Sequence, residues 1–282
     1  MKHKGRRSRG KLKILAHLVL AIFGITMLLP FAWSISTSLK PTGQEFVFPP
    51  QWIPSPVMWG NYRKALTVLP FGTFLKNTIF ITFTCMSGSI LTASLAGFAF
   101  ARLRFPGRDI LFVLCLSTMM LPYAVTMVPQ FILFRYLGWI DTFLPLTVPA
   151  WLGGNAFFIF LCRQFFMTIP YEFDDAARID GANEWQMWFR VMLPLSQPVV
   201  ATMAIFSFVN HWNDFMGPLI YLHSMERRTV AIGLRTYIDM DSSAWNYLMA
   251  AAVATTIPVL VLFFCAQKYF IRGVVMSGLA GR

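Results

Sequence analysis

The sequence predicts an all-α polytopic membrane protein: six transmembrane helices, with a pair of short cytoplasmic helices between two of them. Three observations predict it. Of the 282 residues 56% are hydrophobic and only 13% charged, with 28 Phe and 9 Trp, too little polar surface for a water-soluble domain of this size. The apolar residues gather in separate runs, each near the length of a bilayer span. One stretch, 170–198, cannot enter lipid at all. It holds Glu172, Asp174, Asp175, Asp180 and Glu184, five of the twelve carboxylates, and each would cost roughly 3 kcal/mol at the centre of a bilayer.

A formal net charge of +12 in a soluble protein would point to nucleic acid. In so apolar a chain it reads as topogenic charge at membrane–water boundaries, and no nucleic-acid partner is expected. Residues 1–13 carry seven Lys/Arg and no acid. They read as a cytoplasmic basic arm on anionic lipid headgroups, worth about 1 kcal/mol per basic residue near the surface. Residues 14–282 then form a single transmembrane domain.

Span one is expected over about 14–36. It lacks a small-residue cleavage site and exceeds a signal peptide's apolar core, so it is retained. The outer segment 37–72 is rich in Pro, Trp and Tyr, side chains that suit the headgroup layer. Span two, about 74–100, is studded with Ser87, Gly88, Ser89, Ala93, Ser94, Ala96 and Gly97, small residues that let helices approach closely in lipid. The turn 101–108 brings three arginines. Span three, about 110–134, contains Pro122 and Pro129 and should kink. Span four covers about 142–160, span five about 194–222 and span six about 245–270, with a polar outer loop over 223–244. Six spans put both termini on one side. The segments on that side hold sixteen Lys/Arg against eight on the other, which places the termini in the cytoplasm.

The charged loop, about 168–194, is then cytoplasmic too. Pro170 suits a first helical position, and Glu172, Asp174 and Asp175 favour a first turn. Gly181 supplies a stop. Asn183 and Gln186 form a capping box for a second helix carrying Trp185, Trp188, Phe189 and Met192, which Pro194 should interrupt. A polar-tipped helical knob on a membrane protein reads as a docking element.

The run Asp175-Ala176-Ala177-Arg178-Ile179-Asp180-Gly181-Ala182, followed by Phe189 and Leu193-Pro194, resembles the EAA loop of ABC-importer permeases. Asn61-Tyr62, Lys76-Asn77-Thr78, the 101–108 turn and Trp212-Asn213-Asp214-Phe215 are further family-like phrases. Together they resemble the shorter membrane subunit of a maltose-type carbohydrate importer. Asp175 stands where the motif has Glu, keeping the charge on a shorter arm. The resemblance implies a permease subunit moving sugars or oligosaccharides, with Asp175, Ala176, Ala177, Arg178, Asp180, Gly181 and Ala182 coupling it to a separate ATPase. It implies as partners a second permease subunit, two ATPase subunits holding ATP-Mg, and an extracellular or periplasmic solute-binding protein reached by the 223–244 loop. Membrane lipid and the sugar itself complete the set, in a prokaryotic cell (inner) membrane.

The residues agree that this chain does no catalysis. It has no G-x-x-x-x-G-K-[ST] phosphate loop, no H-E-x-x-H and no G-x-S-x-G. Cys85, Cys115, Cys162 and Cys265 form no C-x-x-C pair, so neither a metal site nor a cofactor of its own is expected. The polar cluster inside a span is Asn210-His211-Trp212-Asn213-Asp214, where Ser207, Asn210, Asp214 and Gly217 share one helical stripe. Two readings stay open. The amides and carboxylate line a substrate pathway, with Trp212 or Tyr221 against a pyranose face, or they hydrogen-bond between helices near the outer interface. Asn155 and Gln130 are further pathway candidates. The alternative function, an ion-coupled secondary transporter using Asp214, calls for inverted repeats and more buried charge, and the sequence shows neither.

Overall fold

The apolar pattern folds as helix from end to end. The computed structural model describes residues 4–153, 155–240 and 245–279, and no strand occurs among them. Four helical stretches are long and apolar enough to cross a membrane: Lys13–Ser38, Phe71–Arg102, Leu144–Thr168 and Trp245–Cys265. Two more are bent pairs, Arg108–Met120 with Tyr123–Tyr136 at 99° and Glu184–Leu195 with Gln197–Trp212 at 80°. With each pair counted as one span, the total is six.

The described residues fall into two units. The first comprises residues up to Leu69 together with Leu234–Thr256. Its long helix α1 (Lys4–Ser38) starts within the basic arm, so from Lys4 onward the arm is helical and continuous with span one. Segment 37–72 contains a helix the sequence did not suggest, α2 (Gly60–Val68). The irregular chain before it is fixed by a polar knot. Asn61 Nδ2 donates to the carbonyls of Ser38 at 2.9 Å and Lys40 at 2.8 Å. Asn246 Nδ2 donates to Lys40 O at 3.2 Å and Thr42 Oγ1 at 3.1 Å. The buried Lys40 ammonium lies 3.9 Å from the Trp33 ring centre.

The second unit comprises Pro70–Gly233 and the residues from Ile257, built around α3 (Phe71–Arg102). Beyond a turn at Gly107 come α4 (Arg108–Ser117), a 3-10 turn and α5 (Tyr123–Tyr136). Pro122 takes extended backbone, with ψ 138°, and caps α5. The expected kink is thus a complete break, since a proline outside the helix leaves nothing to hold the two halves in line. Span four consists of α6 (Leu144–Trp151) and α7 (Ala156–Thr168), and so ends at Thr168, later than Phe160. The knob follows: α8 (Glu172–Ile179), α9 (Glu184–Gln186), a π turn (Met187–Met192) and α10 (Leu193–Leu195).

Pro194 does not interrupt this helix. The Leu193 N–H reaches back five residues to Trp188 O, so the proline falls where the i→i−4 ladder is already displaced by the π turn. The chain turns instead at the buried Ser196, into α11 (Gln197–Trp212). That helix stops short of Leu222, and a separate α12 (Met216–Tyr221) follows. After a 3-10 turn at Met225–Arg227 come α13 (Val230–Met240) and α14 (Trp245–Leu279), which also contribute to the first unit.

The small residues of α3 permit the expected close approaches. A Cβ on Gly97 would lie 2.4 Å from Cys162 Cβ on α7, and one on Gly88 2.7 Å from the Trp151 indole on α6. Phe98, Phe166, Met187, Trp188 and Met192 share one buried cluster with Ala177, so the knob is part of the core of the second unit.

Candidate functional site: a charged helical knob

Helix α8 buries an unusual face. Its inward residues are Asp174 and Ala177, three apart, which puts them on one side of the helix. Asp174 meets Arg102, the last residue of α3, with Oδ2 3.2 Å from Nε and both side chains 1% exposed. Arg102 Nη2 also donates to the Ile169 carbonyl, at the C-terminal end of α7, at 2.6 Å. The Tyr171 ring lies against the guanidinium, 4.3 Å from ring centre to Cζ. Burial pushes the Asp174 carboxyl above the usual carboxylate range, with the Arg102 and Arg178 charges pulling the other way. Arg102 is thus what keeps a charge tenable there.

The second half of the knob follows its local code. Gly181 takes φ 78°, a left-handed turn that favours glycine. Asn183 Oδ1 accepts from Gln186 N–H and Gln186 Oε1 from Asn183 N–H, both at 2.9 Å. The face of α8 away from Arg102 is open. Asp175, Ala176, Arg178, Ile179, Asp180 and Gly181 are all exposed, Ile179 at 86%. Arg178 stands 3.8 Å from Asp175 and 3.5 Å from Glu184. Of the seven predicted coupling residues, Ala177 packs inward and Ala182 is half-buried.

The pathway candidates are placed as follows. Trp212 is buried and stacks on Phe208, centroids 5.2 Å apart and planes at 14°. Asn213 Nδ2 donates back to Val209 O at 2.9 Å, and Asn210 and Asn213 are exposed. Asp214 Oδ1 accepts from Gly217 N–H at 3.1 Å, at the start of α12. Asn155 Oδ1 caps a different helix, α7, through Phe157 N–H at 2.9 Å. Tyr221 is buried against Phe131 and Phe134, and Gln130 is exposed.

The family model described as "binding-protein-dependent transport system inner membrane component" matches residues 89–276. The chain belongs to this family. It is 34% identical to the arabinooligosaccharides transport system permease protein AraQ of Halalkalibacterium halodurans, over 93% of this chain and 92% of that protein. It is 32% identical to the sn-glycerol-3-phosphate transport system permease protein UgpE of Yersinia pestis, over 96% and 98% of the two chains. Among solved structures, a chain of a bacterial ABC transporter involved in the import of the acidic polysaccharide alginate superposes with a TM-score of 0.83 at 26% identity, covering 94% of this chain and 98% of that one. The protein is therefore a multi-pass inner-membrane permease of an ABC importer and not an enzyme, and the ion-coupled alternative gains no support.

Sequence reasoning missed two features of this permease. Arg102 looked like one more topogenic arginine and Asp174 like one more first-turn acid, and neither role hints at burial. The other is Asp141, a non-glycine residue at φ 58° between α5 and α6. Its N–H donates to Tyr221 O at 2.8 Å. Its carboxylate accepts from the backbone N–H of His223 at 2.9 Å and of Ser224 at 3.0 Å, and from the Ser224 hydroxyl. Asn77 Nδ2 holds the same turn further on, donating to Glu226 O at 2.8 Å and Arg228 O at 2.9 Å. Asn77 belongs to a family-like phrase, but nothing local says where its side chain goes.

Proposed function

We propose that this permease carries a sugar or oligosaccharide inward and is driven by separate ATPase subunits that grip the exposed face of α8. The proteins it resembles are named for arabinooligosaccharides, glycerol phosphate and alginate, all rich in hydroxyls. ATP-Mg binds on the partners, a second permease subunit completes the translocation unit, and a solute-binding protein delivers cargo to the opposite side. The termini and the knob lie in the cytoplasm. Asn210, Asn213 and Asp214 line the pathway near the end of α11, with Trp212 and Asn155 shaping the helices around it.

A single observation carries the coupling role. Helix α8 has one face riveted into the core and the other turned outward with Asp175, Arg178, Asp180 and a bare Ile179. An apolar side chain at the centre of a charged, rigid patch is what a partner protein covers. The test is Gly181→Leu. Space around Gly181 is open, but φ 78° disfavours a side chain by about 1 kcal/mol, so the turn after α8 shifts while the core is untouched. The expected result is a complex that still co-purifies with its ATPase but moves less solute per ATP hydrolysed. Wild-type stoichiometry in this variant, or a wild-type chain that captures no ATPase, would overturn the proposal.

A further inference from the structure

We infer that Arg102 and Asp174 are positioning residues for coupling: the buried pair locks the register of α8 against the cytoplasmic end of α3, so that a push on the exposed face of α8 moves α3 and is not lost in the loop. The inference rests on the reading that α8 is where an ATPase pushes.

Three features carry it. The guanidinium grips two elements at once, the Asp174 carboxylate on α8 and the Ile169 carbonyl at the end of α7, with the Tyr171 ring closing over it. It therefore fixes the chain on both sides of the turn into the knob. Both partners are buried to 1% exposure; they meet as an ion pair without hydrogen-bond geometry, and Asp174 Oδ1, Arg102 Nε and Arg102 Nη1 have no hydrogen-bond partner among the described residues. An apolar pair would fill such a site with no desolvation to overcome. What a charge pair adds is register, since a buried carboxylate tolerates one position opposite its cation, whereas apolar surfaces slide. Finally, α3 is the helix that α7 and α6 touch most closely, at Gly97 and Gly88. A displacement delivered to α3 must carry both neighbours with it, because packed helices at such separations move as rigid bodies.

The experiment uses the whole complex, reconstituted with its ATPase subunits, and a reporter that requires no knowledge of the solute. A cysteine is placed at the exposed Asn210 (Asn210→Cys) in a background lacking Cys115 and Cys265, and its maleimide labelling rate is measured with and without ATP plus vanadate. In the reference complex the rate should change by about tenfold, a usual size for coupling between sites. Asp174→Asn, nearly isosteric, should keep vanadate-trapped nucleotide on the ATPase yet abolish the change in labelling, and Asp174→Glu should restore part of it. If the Asn variant fails to accumulate, the double variant Arg102→Met/Asp174→Leu replaces it. That pair removes the stranded charge and should fold and bind ATPase, but still transmit poorly. A full labelling response in either variant overturns the inference while leaving the docking proposal standing. A Gly181→Leu complex that stays fully coupled overturns the docking proposal and this inference with it.

Discussion

At Gly97 α3 and α7 come too close to admit a side chain, and the contact is intolerant because backbone lies behind it. A methyl group there would sit 2.4 Å from Cys162 Cβ and 3.0 Å from the Arg163 backbone nitrogen, so one helix would have to move bodily. At Gly88 the obstacle is the Trp151 indole at 2.7 Å, a side chain that can rotate aside. At Gly72 nothing lies within 4 Å. Alanine substitutions should therefore lower the thermal midpoint of the detergent-solubilised protein most at Gly97, by the equivalent of about 1–3 kcal/mol. They should lower it less at Gly88 and hardly at all at Gly72. Equal effects at the three positions would show that the close approach is not limiting. The sequence marked span two as a small-residue helix but could not rank these glycines, since the ranking depends on what each one faces across the gap.

At the scale of elements, the turn after α12 is held by side chains from elsewhere in the chain, and its stability should follow pH. The Ser224 hydroxyl and backbone N–H bonds, then the His223 N–H, hold the Asp141 carboxyl down to about 2, below an ordinary carboxylate near 4. A depressed acid stabilises the folded turn fully above its unfolded value, and that contribution disappears as pH falls through its folded value. Hydrogen exchange in residues 222–229 should therefore be slow and pH-insensitive in excess of the intrinsic rate above about pH 4, and accelerate towards pH 2. Asp141→Asn should exchange about tenfold faster at neutral pH and lose that acid limb. A variant that keeps it would place the titration on another group. The elements themselves were legible in proportion to how local their causes are. Asn183 and Gln186 cap α9 as their spacing says, because capping involves only four consecutive residues. Pro122 announced a disturbance but not a break of 99°, and the π turn that lets Pro194 pass has no local signature. The Arg102–Asp174 pair was illegible for a different reason. Each residue had an adequate explanation where it stood, and only the fold brings the two together.

For the whole molecule, the decisive matter is sidedness, because a knob on the wrong side of the membrane has no nucleotide-driven partner. From the twofold excess of Lys/Arg in the segments assigned to the interior we propose that the α8 knob lies in the cytoplasm and the Asp141-stapled turn outside. Both assignments are testable on single exposed positions. Ile179 is 86% exposed on the knob, and Glu226 is exposed in the outer turn. In intact cells stripped of any outer envelope, a membrane-impermeant maleimide should label Glu226→Cys and leave Ile179→Cys untouched. Opening the membrane should expose Ile179→Cys, and supplying the ATPase subunits should protect it again, since an apolar side chain at the middle of a docking patch is the first to lose water when the partner seats. Labelling of Ile179→Cys from the outside would reverse the topology and remove the ATPase from reach. Labelling from the inside that no ATPase suppresses would keep the topology and move the docking surface off α8.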